Sequence, residues 1–133
     1  MAEDRQAPPV PVAPRRPPLL RGRVFRGTWA VAAGVLTADE LRSSAWRRLR
    51  QDVHADAALP VDHRLLARGV SLVMPRSAAL GGLTAAVLWG APDVATAEDP
   101  VDVVLPPGTR WSPGPGVAVR SAPLDGEVVR DGP

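Results

Sequence analysis

The chain has 133 residues, which allows one domain or two small ones with a modest hydrophobic core. It has no cysteine, so disulfide scaffolds and thiolate metal sites are excluded. All sixteen basic residues are arginine, and with neither lysine nor tyrosine to titrate, the isoelectric point of about 10.8 reflects a net charge of only +2.

Charge is unevenly distributed along the chain. Residues 1–26 carry six arginines against two acids, whereas residues 27–133 carry ten arginines against twelve acids. We therefore expect a slightly acidic folded part, in which any anion-binding site is a local patch. The absence of lysine also excludes a phosphate-binding P-loop, a pyridoxal Schiff base and the usual lysine-containing nuclease motif.

The N-terminal region indicates a soluble chain. Residues 1–20 are rich in proline and arginine and contain little that can pack, which predicts a disordered tail with polyproline II character. The chain opens with Glu3 and Asp4 and lacks the apolar core of a signal peptide. The longest uncharged run, residues 77–92, is shorter than the ~20 apolar residues that cross a bilayer. We expect a cytoplasmic protein with no membrane partner.

Two short helices are predicted after the tail. In "GTWAVAAG", Thr28 is the candidate cap and Gly34 the C-terminal stop. In the next segment, Thr37 and Glu40 have the S/T-x-x-E spacing of a capping box. This spacing predicts a second helix over residues 37–42.

A third helix is predicted at residues 45–51, followed by an extended segment at 53–59. Three short helices and such a segment favour a helix-turn-helix with a small wing, which defines a domain at 21–59. On the third helix three guanidinium groups point outward, away from an apolar arc: Arg47, Arg48 and Arg50. Guanidinium groups suit phosphate and guanine edges, but a solvated basic face is the alternative that the residues alone leave open.

Residues 60–133 are predicted to contain two more helices. The first begins at Pro60, has an apolar face at helical spacing and ends before Pro75. The second lies between Gly82 and Gly90. Its predicted core residues are Leu83, Val87 and Leu88.

A short antiparallel β-sheet is predicted after these helices. The runs at 101–108 and 116–124 are β-rich and are separated by a proline- and glycine-rich connection. Residues 126–132 form a candidate third strand, which would leave an unpaired edge, as if the chain stopped early. The predicted fold class is α+β, with N-terminal winged-helix-like helices followed by two helices and this sheet.

No catalytic centre is found in the sequence, since neither a nucleophile elbow nor a dinucleotide fingerprint is present. In "DVHAD", Asp52, His54 and Asp56 would share one face of a strand, with His63 nearby. Carboxylate and imidazole groups can hold a divalent ion. A polar turn explains the same residues more simply, so no metal, cofactor or small-molecule substrate is expected.

Three segments in this order resemble a large group of actinobacterial proteins. They are "FRGTWAVAAGVLTADELRSSAWRRLRQDVH", "LGGLTAAVLWG" and "DPVDVVLPPGTRWSPGPGVAVRSAPL". The segments are similar to AbiEi-type antitoxins of type IV toxin–antitoxin systems, in many of which the same region precedes a Vsr-like endonuclease domain. The resemblance covers residues 20–132.

The resemblance implies a winged-helix domain that binds the operon's own promoter, followed by an α/β antitoxin-like region. By position it makes residues 45–51 the recognition helix and implies DNA contacts from four arginines: Arg42, Arg47, Arg48 and Arg50. Relatives often have Gly-Val-Tyr where this chain has Asp52, Val53 and His54. Relatives also continue beyond residue 132 into a helix and often the nuclease domain, so no nuclease activity is carried over.

We therefore expect a non-enzymatic, DNA-binding, antitoxin-like regulatory module whose partners are double-stranded DNA and a cognate toxin. One alternative is a protein-interaction module, in which the helix at 80–90 and the hairpin bearing Trp111 recognise a toxin or another partner. A second alternative is the N-terminal part of a Vsr-like endonuclease family protein.

Overall fold

The structure is a computed structural model that describes residues 13–124. These residues form a mixed α+β fold with four α-helices and two three-stranded sheets. In chain order the elements are β1 (Val24–Arg26), α1 (Gly27–Ala32), α2 (Ala38–Leu41), β2 (Trp46–Arg50), β3 (Val53–Asp56), α3 (His63–Val73), β4 (Ala79–Leu80), α4 (Gly82–Leu88), β5 (Val101–Leu105) and β6 (Val117–Ser121). Single 3-10 turns lie at Pro18–Leu20 and Pro92–Val94.

The first sheet is antiparallel, in the strand order β1-β3-β2. One face packs against the region of α1 and α2 through a core that includes Phe25 and Trp46. The other face packs against α3, where Gly69 permits a close approach, because a Cβ there would lie 3.0 Å from Val53 Cγ1. The central strand β3 is therefore covered on both faces, and Val53 and Ala55 are fully buried.

The second sheet has the strand order β4-β5-β6. Strands β5 and β6 confirm the β-rich runs at 101–108 and 116–124, but the prediction that they are antiparallel is wrong. They run parallel because residues 106–116 cross back over the sheet, with Trp111 packed on the core. The antiparallel neighbour of β5 is β4, a two-residue strand that the sequence pattern did not indicate. The candidate third strand at 126–132 lies outside the described residues.

Local capping signals set several helix ends. The predicted capping box starts α2: Glu40 N–H donates to Thr37 Oγ1 at 3.0 Å, and Thr37 N–H donates to Glu40 Oε1 at 2.9 Å. Gly34 follows α1 with a φ of +75°, as expected of a C-terminal stop. Helix α3 begins later than predicted because Asp62 is its N-cap and accepts a hydrogen bond from Leu65 N–H at 2.8 Å.

The predicted core of α4 is wrong at one position. Two of its three residues do pack inward, Val87 and Leu88. Leu83 is 51% exposed, and the neighbouring Thr84 is fully buried instead. Gly82 has a φ of +54° and lies so close to β5 that a Cβ would be 2.7 Å from Asp102 Oδ2. Helix α4 thus starts in contact with β5, and the side that it turns to the core carries Thr84.

The helix predicted at residues 45–51 is also wrong, because this segment forms strand β2. The ring of Trp46 is buried and meets Phe25 edge-on, with 5.4 Å between ring centroids. This burial outweighs a weak local helix preference. Asp52 has a φ of +61° in the turn that returns the chain as β3, so the segment 53–59 begins as a hairpin strand.

The packed chain begins inside the predicted tail. Residues 1–12 lie outside the described part of the chain, but the segment 13–20 already belongs to the fold. Leu20 is buried in the core of the first sheet, and Arg16 forms an ion pair with Asp56 at 2.5 Å. The predicted tail boundary at residue 20 is therefore placed too late.

A buried hydrogen-bond network around His63 links the helices α3 and α4 to the strand β5. Nδ1 of His63 lies 2.9 Å from the Thr96 carbonyl oxygen, which can only accept, so Nδ1 carries the proton. Nε2 then accepts from Thr84 Oγ1 at 2.8 Å. The same hydroxyl oxygen accepts from Asp102 N–H at 2.8 Å. One threonine side chain thus connects α3, α4 and β5.

Replacing this hydroxyl tests the network. Thr84→Val keeps the shape of the side chain but leaves His63 Nε2 and Asp102 N–H without a partner in the core. We expect the free energy of unfolding, measured by urea denaturation, to fall by about 2–4 kcal/mol. The control is Thr109→Val, whose hydroxyl makes no hydrogen bond within residues 13–124. Equal destabilisation by the two substitutions would contradict the role of Thr84.

Candidate nucleic-acid interface

The arginine-rich strand β2 lies at an edge of the first sheet. Arg47 stands opposite Ala55 and Arg48 opposite His54, so the two arginine side chains leave opposite faces of the strand. Both are exposed, and neither has an ion-pair partner within residues 13–124. We call Arg47 and Arg48 the arginine edge. It replaces the predicted helix face, on which three guanidinium groups would have pointed the same way.

The other two predicted contact residues are already engaged. Arg50 is partly buried and donates a hydrogen bond to the carbonyl oxygen of Pro113, in the crossover before β6. A bulge at Leu49 shifts the strand register just before Arg50. Arg42 is exposed and forms an ion pair with Asp39 within the same turn. The structure therefore does not bring the four predicted arginines together on one surface.

His54 lies beneath the arginine edge. Its ring stacks on Phe25 with 6.0 Å between ring centroids, and its buried Nδ1 has no hydrogen-bond partner within the described residues. Burial lowers the pKa of His54 below its ordinary value of 6.5, and the neighbouring Arg48 guanidinium lowers it further, against a smaller opposing effect of Asp52. The neutral imidazole is therefore the form that the fold favours.

Asp52 fastens the tip of the β2–β3 hairpin to the start of α1. Its carboxylate accepts hydrogen bonds from Thr28 N–H at 2.7 Å, from Thr28 Oγ1 at 2.8 Å and from Arg26 Nε at 3.0 Å. Its backbone carbonyl accepts from Gly27 N–H at 3.0 Å. Partial burial raises the pKa of Asp52, but these hydrogen bonds and the Arg26 charge outweigh it and lower the pKa overall. Thr28 was predicted to cap the first helix with its own side chain. Instead, the Asp52 carboxylate caps the backbone N–H of Thr28.

Asp56 anchors the other end of β3. It accepts from Gly22 N–H at 2.8 Å, from Ala58 N–H at 2.9 Å and from the Arg16 guanidinium. Burial raises the pKa of Asp56, yet these donors together lower it below its ordinary value. Arg16 lies forty positions away in the chain, so no local sequence pattern indicated this contact.

Two further sequence hypotheses can be placed on the structure. Trp111, the candidate partner-binding residue, is half-buried and packs against the core of the second sheet. In the "DVHAD" segment, Asp52 and Asp56 are committed to the neighbours described above. No group of three or more His, Cys, Asp or Glu side chains within residues 13–124 is arranged to hold a metal ion.

Comparison with known proteins gives no relative: no protein-family model, no curated protein and no solved structure matches the chain. In the described part, none of the helices has the length and apolar character that crossing a membrane requires.

The hairpin anchor gives a stability prediction. Asp52→Gly keeps the positive φ without strain but removes three hydrogen bonds at the start of α1, so the unfolding free energy should fall by about 1–2 kcal/mol. Asp52→Asn keeps an acceptor oxygen and should be less destabilising. Thermal and urea unfolding of both variants measure this difference. A glycine variant as stable as the parent would show that the side chain does not hold the hairpin.

His54 gives a prediction about pH. Because folding lowers its pKa, His54 stabilises the fold fully above pH 6.5, and that stability is lost as the pH falls through the lowered pKa. Folding lowers the pKa of Asp52 and of Asp56 below the ordinary value of 3.8, so neither carboxyl contributes in this window. In His54→Phe, which keeps the stacking on Phe25, the unfolding free energy should fall less between pH 7 and pH 5. Identical pH profiles for parent and variant would contradict this assignment.

Proposed function

We propose that the chain is a DNA-binding, antitoxin-like regulatory module that docks on duplex DNA through the arginine edge. The observation that carries the proposal is that the consecutive residues Arg47 and Arg48 are both exposed and have no ion-pair partner within the described residues. Guanidinium groups bind phosphate oxygens through paired N–H donors. Most of the other arginines near this sheet are instead held by acids of the same chain.

The element order supports a winged-helix-like arrangement. A short strand, two helices and a hairpin follow one another, and the hairpin strand β3 pairs with both β1 and β2. In this arrangement the β2–β3 hairpin corresponds to the wing. Helix α2 has only four residues, and the arginine edge lies on the hairpin. We therefore place the DNA contact on the wing and not on a recognition helix.

The geometry favours contact with the phosphate backbone over reading of bases. The hairpin tip is held against α1 by Asp52, which keeps it from extending into a groove. Arg47 and Arg48 leave opposite faces of one strand, so they suit two phosphates along a backbone that runs beside the edge. The resemblance to AbiEi-type antitoxins supports the regulatory part of the proposal and makes the gene's own promoter the duplex to test.

Salt-dependent DNA binding tests the arginine edge. The slope of log affinity against log salt should decrease by about 0.9 for every phosphate that the protein no longer neutralises. Arg47→Ala with Arg48→Ala should therefore flatten the slope by roughly 2 and remove most binding. Fluorescence anisotropy with a labelled promoter duplex, at several salt concentrations, measures both quantities.

The matched control removes the same charge elsewhere. Arg64→Ala with Arg120→Ala changes two exposed arginines outside the first sheet and should leave most of the affinity. Equally weakened binding by the two double variants would mean that net charge alone drives binding. Undiminished binding by the Arg47 and Arg48 variant would refute the assignment of the interface.

A further inference from the structure

The strand β1 has a neighbour on one side only within the described residues, because the strand order of the first sheet is β1-β3-β2. On the inner side, the Arg23 carbonyl accepts from Asp56 N–H at 3.0 Å. The Gly27 N–H donates to the Asp52 carbonyl, also at 3.0 Å. In an antiparallel ladder the backbone groups of alternate residues point to opposite edges. Positions 23, 25 and 27 therefore face β3.

The backbone groups of the two intervening residues point outward. They are the N–H and C=O of Val24 and the N–H of Arg26, since the Arg26 carbonyl belongs to the N-cap of α1. None of these three groups has a loop or side-chain hydrogen-bond partner within residues 13–124. Two donors and one acceptor in a row are the groups that an added extended chain satisfies.

An open apolar cleft of about 770 Å³ lies along this edge. All three residues of β1 line it, so the outward backbone groups border the cleft. The other apolar lining residues are Leu19, Leu20, Trp29, Ala32 and Leu72. Leu19 is 56% exposed and Trp29 is 47% exposed, so the described residues leave large apolar side chains uncovered here. We call this site the β1 cleft.

The apolar walls lie on both faces of the sheet. Val24 faces α3, since a Cβ at Gly69 would lie 4.0 Å from Val24 Cγ1. Phe25 faces the opposite core, next to α1. Side chains of a strand alternate between the two faces. A strand added to β1 would therefore direct its side chains alternately toward Trp29 of α1 and Leu72 of α3.

The charge of the β1 cleft selects an acidic occupant. Two arginines line the cleft, Arg23 and Arg26, and none of the described lining residues is an acid. Arg26 is already paired with Asp52 at 3.0 Å. Arg23 is exposed and forms no ion pair within residues 13–124. One uncompensated cation therefore lies where β1 begins.

We propose that the β1 cleft binds an extended, apolar and acidic peptide segment of a partner protein, which joins the first sheet as a fourth strand. Backbone hydrogen bonds to Val24 and Arg26 fix the added strand. Its side chains pack on Trp29 and Leu72, and a carboxylate pairs with Arg23. The arginine edge stays free, because β1 and β2 are opposite edges of the sheet. The inference therefore stands independently of DNA binding.

Binding of labelled peptide pools to the full chain tests the proposal. The acidic pool has five central positions drawn from Val, Leu, Ile and Thr, with Glu at both ends. The basic pool has Lys in place of Glu. Fluorescence anisotropy should show binding of the acidic pool with a dissociation constant between about 10 μM and 1 mM, and weaker binding of the basic pool. Amide hydrogen exchange should slow at Val24 and Arg26 when the acidic pool is bound.

Two substitutions of exposed side chains locate the site, each with a matched control. Trp29→Ser should weaken binding of the acidic pool at least about tenfold, whereas Trp89→Ser, at a 78% exposed position outside the cleft, should not. Arg23→Glu should reverse the preference, so that the basic pool binds more tightly than the acidic one. Arg110→Glu makes the same charge change at an exposed position outside the cleft and should keep the preference for acid.

The reversal by Arg23→Glu is a gain of binding, which a misfolded variant cannot give. An unchanged preference in that variant would overturn the proposal, as would failure of the acidic pool to bind up to about 1 mM. Binding without slower exchange at Val24 and Arg26 would overturn strand addition. Slow exchange at both amides in the free, dilute chain would assign the edge to another segment of the same chain. Slowing that depends on protein concentration alone would assign it to a second copy.

Discussion

The arrangement of the first sheet depends on two carboxylates at the ends of its central strand. Asp52 precedes β3 and Asp56 ends it. The Asp52 carboxylate accepts from the Thr28 N–H and hydroxyl, the Asp56 carboxylate accepts from the Gly22 and Ala58 N–H groups, and each also binds one arginine. Hydrogen bonds to an ionised carboxylate are roughly twice as strong as neutral ones. The strand thus binds the start of α1 at one end and the N-terminal segment at the other.

This use of charge explains why several arginines of the described residues are not available to a ligand. Arg15, Arg16, Arg26 and Arg42 are paired with acids, and Arg50 is bound to a backbone carbonyl. Arginine is the only basic residue available, so it has to supply the structural ion pairs as well as any ligand contact. The exposure and partners of individual arginines, such as Arg47 and Arg48 on β2, are therefore more informative than the total count of arginines or the isoelectric point.

The sequence predicted those features that short stretches of chain determine. The capping box at Thr37, the stop at Gly34 and the β-rich runs of β5 and β6 all rest on neighbouring residues, and all are present. The strand β2 was missed because its state depends on the burial of Trp46 against Phe25, twenty-one positions earlier. The direction of β6 was missed for a similar reason, since the path of the crossover depends on where Trp111 packs. At the candidate site, Arg47 and Arg48 were proposed from the sequence as DNA contacts, which stays a prediction, and the sequence did not indicate that they lie on opposite faces of β2.

The position of α3 has a consequence for how the molecule unfolds. One side of this helix packs on the first sheet at Gly69, and another contributes Ala67 and Val70 to the core of the second sheet. The first sheet has a separate core around Phe25 and Trp46 on its other face, but its second face is covered by this helix. Separating the chain at residue 59 would take α3 away from Val53 and expose that face of the first sheet, so we expect the two parts to unfold together.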